Sequence, residues 1–279
     1  MNKTRLGARL LALFLAAQGA SAWAEEAHHQ GGVATARSGQ LLGEPWKDEA
    51  AGWRWRSFAS YLESRSSFDA DGHRRALPNN GRFTSWSLNF FGERSLGPRW
   101  SASAFLPVQA SRLKDDLGHS GWYSLGDVYG WARYRLDEFK GMRPALAAGI
   151  KAPGTYRTVS GVGDGQVDLE LQGFLAKTFA ERHYVALNSG VRFRTGSPSN
   201  EIPYGLQAGW APSERLLLVP SLNGVRGVGG GVQKDFMGAG LSGFWTLSGP
   251  WRLFGSYQKI VMGKNTAAAD IGSVGVSYR

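Results

Sequence analysis

Polar and apolar residues alternate with a period of two over much of the chain. In residues 166–179, Gln166, Asp168, Glu170 and Gln172 alternate with Val167, Leu169 and Leu171. In residues 183–194, Asn188, Arg192 and Arg194 alternate with Val185, Leu187, Val191 and Phe193. Such alternation predicts β-strands with one polar and one apolar face. With a turn centred on Glu181, Glu170 falls opposite Arg192 and Asp168 opposite Arg194, so acid meets base along the polar face. A soluble sandwich would bury the apolar face. A membrane barrel would turn it to lipid and the charges to the lumen.

Segments of about ten to thirteen residues recur from Trp53 on, the length a transmembrane strand needs. The pattern predicts twelve of them: 53–64, 82–94, 99–110, 124–136, 142–152, 166–179, 183–194, 201–211, 215–225, 236–247, 251–261 and 268–278. In 53–64 and 215–225 apolar residues fall on both faces. The connections alternate between tight turns (95–98, 137–141, 180–182, 212–214, 248–250) and mostly longer loops (65–81, 111–123, 153–165, 195–200, 226–235, 262–267). A short-turn rim and a long-loop rim are what an outer-membrane barrel shows, and an even strand count closes without an edge. Trp53, Trp55, Trp100, Trp122, Tyr123, Tyr204, Trp210, Trp245, Trp251 and Tyr278 gather near segment ends, as interfacial girdles do. The fold class expected is all-β: a transmembrane antiparallel up-and-down β-barrel over residues 53–279.

The N-terminus changes the compartment. Lys3, Arg5 and Arg9 precede an apolar run at residues 10–17, and small residues follow at Ala20, Ala22 and Ala24. This reads as a secretory signal peptide, residues 1–24, cleaved after Ala24. An uncleaved anchor would need about 20 apolar residues. Residues 25–52 are polar, a flexible periplasmic lead or a short plug inside the lumen. Removing Lys3, Arg5 and Arg9 takes the formal charge from +10 to +7. Export makes nucleic acid an unsuitable partner for that charge, whereas lipopolysaccharide at the outer leaflet suits arginines in the loops. The absence of cysteine and the 39 glycines fit a strand-rich exported chain.

Candidate chemistry is sparse. The glycine runs at 161–166 and 224–231 lack the lysine, hydroxyl and helix of a phosphate-binding loop and read as flexible loops. The histidines at 28, 29, 73, 119 and 183 lack metal-ligand spacing, and no cofactor is expected. His119 and Ser120 invite comparison with a lipid hydrolase, but they have opposite strand parity, lie in a loop and lack an orienting acid, so no enzyme is expected. The lumen charges are more informative. If the 137–141 turn centres on Phe139, Asp127 falls opposite Lys151, and Arg135 opposite Arg143. Around the next outer loop Arg194 meets Glu201. The result is a band of Asp127, Lys151, Asp168, Glu170, Arg192, Arg194 and Glu201, either a lining of mutually satisfied charges or a constriction that screens solutes.

Five runs carry a family likeness: GDVYGWARYRL (126–136), PALAAGIKAPGT (144–155), GVGDGQVDLELQGFLAKTF (161–179), YVALNSGVRFRTG (184–196) and GKNTAA (263–268). They resemble the outer-membrane family named for the MetA pathway of phenol degradation, a family of transporter barrels. The resemblance implies a channel for small solutes, aromatic or other hydrophobic compounds among them, and brings no catalytic residues. The alternative is a non-transporting envelope barrel, structural or concerned with assembly of surface polysaccharide. At the C-terminus Val274, Val276 and Tyr278 form an apolar row ending in an aromatic, displaced one position by Arg279. This row resembles the signal read by the outer-membrane assembly machinery.

Overall fold

The computed structural model describes residues 52–155, 165–180, 183–195, 199–230 and 233–278. The expected signal peptide (residues 1–24) and nearly all of the expected lead (25–52), like Glu181, lie outside them. The strands are β1 (Trp53–Phe68), β2 (Arg74–Ala76), β3 (Arg82–Ser95), β4 (Trp100–Asp115), β5 (Gly118–Leu125), β6 (Val128–Arg135) and β7 (Met142–Ala152). They continue as β8 (Asp168–Phe179), β9 (His183–Arg194), β10 (Asn200–Gly209), β11 (Leu216–Val228), β12 (Asp235–Ser248), β13 (Trp251–Lys264) and β14 (Thr266–Tyr278). Neighbours pair antiparallel, and β14 pairs back onto β1 from Trp55↔Tyr278 to Phe68↔Thr266. The chain is a closed twelve-strand barrel, because β5 and β6 are two lengths of one stave along β4 and the short β2 only flanks the top of β1.

Each predicted segment coincides with a stave. Closure pairs the staves on both sides through the apolar belt, as a lipid environment demands, while β2 and β5 toward the outer rim each pair with one strand. Leu88, Leu106, Leu146, Leu169, Leu187, Leu206, Leu241 and Val274 lie exposed on the outer face. The seam between the chain ends is held at the short-turn rim by rings. Tyr278 stacks on Trp55 at 6.2 Å and meets Trp251 edge-on at 5.3 Å. Trp53, Trp100, Trp210 and Trp245 continue this outer ring of aromatics. Trp122 does not belong to a girdle, since it lies on the opposite face of β5 from the exposed Tyr123.

Several loops are shorter than the pattern predicted. Residues 111–123 are not a loop: β4 and β5 continue as a hairpin to Asp115↔Gly118, where the Asp115 carboxylate accepts the N–H groups of Leu117 and Gly118. Beyond the apolar belt neither face needs to be apolar, so alternation loses its contrast there. β11 likewise runs through Gly224 to Val228 rather than opening a loop at 224. Gly224 is required where it stands, because a Cβ there would meet the Phe236 carbonyl oxygen at 2.2 Å and the Tyr204 hydroxyl at 2.5 Å.

The 137–141 turn is centred on Lys140–Gly141, not on Phe139. Phe139 and Met142 exchange both backbone hydrogen bonds, and φ is 51° at Lys140 and 73° at Gly141, as a tight two-residue hairpin requires. The register then sets Tyr129 opposite Lys151 and Arg135 opposite Ala145. The expected direct facing of Asp127 and Lys151 is thus two residues out, and the like-charged facing of Arg135 and Arg143 does not occur. Gly141→Val should cost about 1–2 kcal/mol, the penalty for a β-branched residue in left-handed backbone, measurable as a lower urea midpoint for the refolded barrel.

Candidate functional site

The staves' inward face is where the molecule's unusual chemistry lies. The predicted hairpin register holds: Asp168 faces Arg194 and Glu170 faces Arg192. β7 brings Lys151 opposite Asp168, and β10 brings Glu201 opposite Arg192. Asp127 arrives by another route. Between β5 and β6 the stave gains one residue relative to β4, since Val108 faces Leu125 and Phe105 faces Tyr129. This bulge at Gly126–Asp127 re-aims Asp127 inward, where it is 2 % exposed and reaches Lys151 diagonally.

All seven band residues form one connected chain of charge. Lys151 Nζ lies 2.8 Å from Asp168 Oδ2 and 3.5 Å from Asp127 Oδ2. Arg194 reaches Glu201 Oε1 with Nη1 at 2.9 Å and Asp168 Oδ2 with Nε at 3.8 Å. Arg192 donates from Nη1 to the other Glu201 oxygen, and from Nε to Glu170 Oε2 at 2.7 Å. Gln172 donates to Glu170 Oε1 and accepts from Asn188 Nδ2 at 2.9 Å. Three cations and four carboxylates leave the band one negative charge in excess. Nearly full burial of these groups is tolerable because each ion touches an opposite one.

The opposite wall differs. Leu62, Phe83, Val225, Phe236, Ile260 and Ile271 form an apolar cluster on staves β1, β3 and β11–β14. A second cluster runs most of the way round the interior and includes Phe58, Phe91, Phe105, Tyr129, Trp131, Phe174, Tyr184 and Phe254. These residues explain why β1 and β11 show apolar positions on both faces: one face meets lipid and the other an apolar lumen. Two rings lie over a glycine of the adjacent stave, and a third glycine lies close against backbone. A Cβ on Gly149 would fall 2.2 Å from the Trp131 ring and on Gly209 2.0 Å from the Tyr184 ring, whereas on Gly275 it would meet the Ser57 carbonyl oxygen at 2.3 Å and Phe58 Cβ at 2.4 Å. Each glycine faces its aromatic directly in register.

Sequence reasoning missed a second buried pair. Arg133 donates to Glu93, which also accepts from Ser101 Oγ at 2.9 Å, and Arg56 lies within electrostatic reach. Arg133 and Glu93 stand on β6 and β3, with the small Ser101 and Ser103 of β4 between them. Likewise Gln258 of β13 donates to Asn223 of β11 at 2.6 Å across Gly238 of β12. Hairpin registers reveal only adjacent-strand pairs. The available signal was a small inward residue flanked on both sides by long polar ones.

Other candidates fare less well. His119 and Ser120 lie in β5 rather than a loop, opposite Lys114 and Leu113, and point to opposite faces. Asp69, Asp71 and His73 place ligand atoms within 4.8 Å of one another at the outer end of β1. Asp69 already accepts a side-chain hydrogen bond from Arg75 and backbone N–H groups of His73 and Asp71. Chiefly the Arg75 bond holds its carboxyl below the usual carboxylate range. The turn accounts for this gathering without an ion.

No family model matches the chain, and no curated protein matches it. Solved structures do. An outer membrane channel from Pseudomonas putida F1 is 15% identical and superposes with a TM-score of 0.69 over 84% of this chain and 98% of that one. The translocator domain of the autotransporter NalP from Neisseria meningitidis is 15% identical, with a TM-score of 0.57 over 90% and 94%. The KdgM porin in complex with disordered oligogalacturonate is 8% identical, with a TM-score of 0.53 over 81% and 98%. The chain is similar to these in fold, that of outer-membrane barrels.

Proposed function

We propose that the protein is an outer-membrane channel that passes small solutes along a narrow, two-sided lumen. The observation that carries this reading is the interior itself: a linked row of buried charges from Asp127, just before β6, to Glu201 on β10, facing an apolar wall on β11–β14, β1 and β3. Eight strands give a filled interior and sixteen an aqueous channel, so twelve give a passage in which side chains set the bore. A solute with one polar edge and an apolar body suits such walls, in keeping with the aromatic and hydrophobic compounds implied by the resemblance to the MetA-pathway family. The outer-membrane likenesses in fold support the placement, with the short-turn rim toward the periplasm. On this reading Val274, Val276 and Tyr278, on the outer face of β14, serve as the recognition row for the assembly machinery.

Planar-bilayer recording tests the channel. Arg194→Glu sets a third carboxylate beside Asp168 and Glu201, so the reversal potential in a salt gradient should move toward cation selectivity. A refolded barrel with neither conductance nor solute flux in vesicles overturns the proposal. The large aromatic cluster in the lumen favours a second reading, a closed envelope barrel with a structural or assembly role. In that case a deletion strain would show a surface defect rather than a growth defect on one carbon source.

A further inference from the structure

The outward face of β1, β3, β4 and β5 changes character in rows set by strand register. Leu88, Phe90, Leu106 and Val108 are exposed within the apolar belt. Toward the long-loop rim, Tyr61, Trp86, Ala110 and Tyr123 then stand side by side. The Tyr61 and Trp86 rings pack at 4.6 Å, and Tyr123 is 89% exposed. Glu63, Thr84 and Arg112 make the next row, and Arg82 and Lys114 the one beyond. Glu63 gathers two cations, holding Arg65 Nε at 2.7 Å and Arg82 Nη2 at 2.6 Å. Arg112 and Lys114 add two more, exposed and, among the described residues, without an ion-pair partner.

Four cations against one carboxylate therefore stand directly beyond an aromatic row on a lipid-facing wall. The adjoining Lys259 and Asp270 neutralise each other at 3.5 Å. On β7–β9 the outward residues at the same end are apolar, among them Ile150, Leu169, Val191 and Phe193. The aromatic row marks the interface between hydrocarbon and headgroups, and the anion abundant just beyond it is lipid phosphate. Guanidinium groups match phosphate oxygens in a fork geometry.

We propose that this patch binds the phosphorylated headgroup of an outer-leaflet glycolipid of the lipopolysaccharide type, with acyl chains against Leu88, Phe90, Leu106 and Val108. The inference rests on the outer-membrane placement and on the long-loop rim facing outward, not on solute passage. The mature chain, refolded in detergent, is titrated with purified lipopolysaccharide and with the same lipid after chemical dephosphorylation. Native mass spectrometry reads bound lipid, and heat-modifiable gel migration establishes that each variant is folded. The double variant Arg112→Gln with Lys114→Gln should bind the phosphorylated lipid at least about tenfold more weakly than wild type, each cation near a charged surface contributing on the order of a factor of five. Wild type should prefer the phosphorylated form by a similar factor, and Arg226→Gln, on β11, should bind as wild type does. Equal binding by wild type and the folded double variant overturns the proposal, as does indifference of the wild type to dephosphorylation. Full displacement of the lipid by millimolar inorganic phosphate would assign the patch to free anions and overturn it as well. Loss of conductance in bilayers leaves this outcome untouched, whereas a barrel missing from the outer-membrane fraction removes the ground of both proposals.

Discussion

Glu201→Ala is expected to destabilise the refolded barrel by about 3–5 kcal/mol, the cost of leaving buried charge uncompensated. Within the lumen band Glu201 is the carboxylate that two arginines share, accepting from Arg192 Nη1 and from Arg194 Nη1. Without it Arg192 retains Glu170, while Arg194 loses its 2.9 Å contact and retains the longer approach to Asp168 at 3.8 Å. The band loses its excess negative charge, so any residual conductance should move toward anions. Urea unfolding in lipid vesicles measures the first effect. The double variant Glu201→Ala with Arg194→Ala should recover part of the loss, because it also removes a cation whose charge Glu201 balanced. A loss below about 1 kcal/mol for the single variant, the range of exposed ion pairs, would mean that lumen water solvates these groups and that the linked network contributes little.

Gly209→Val should cost about 3 kcal/mol, the upper part of the range for overpacked sites. The Cβ alone would fall 2.0 Å from the Tyr184 ring, and the next two ring atoms lie at 2.3 and 2.7 Å. Small shifts cannot absorb an overlap of that size on a sheet whose register is fixed on both sides. Tyr184 is buried and its hydroxyl accepts from Gln207 Nε2 at 3.1 Å. The ring must therefore swing inward and break that bond, narrowing the passage as it does. Unfolding midpoints report the first effect and single-channel current the second. Tyr184→Ala in the same chain should restore most of the stability; failure to do so would place the strain in the backbone rather than in the ring.

Strand number, stave positions and the Asp168–Arg194 and Glu170–Arg192 pairs were legible because alternation and turn spacing are local signals. Asp127 was legible as a band member but not in its placement. A one-residue bulge and a turn centred on Lys140–Gly141 changed the register, and both depend on backbone conformations that alternation does not encode. Glu93–Arg133 was hidden because it spans an intervening strand. The outer hairpin of β4 and β5 was hidden because polar residues occupy both its faces beyond the membrane. The apolar lumen had left a trace, the two-faced apolar pattern of β1 and β11, which looked like a weak strand signal until closure supplied an apolar interior for the second face.

The rings lying over Gly149 and Gly209 also constrain how this chain can diverge. Each ring fills the volume that a side chain on its partner strand would occupy, so the two positions are inherited as a unit. A lineage cannot acquire a side chain at 149 or 209 before giving up the bulk at 131 or 184. The shape of the lumen wall can thus drift freely at positions away from these couples, while at the couples themselves it must change in paired steps.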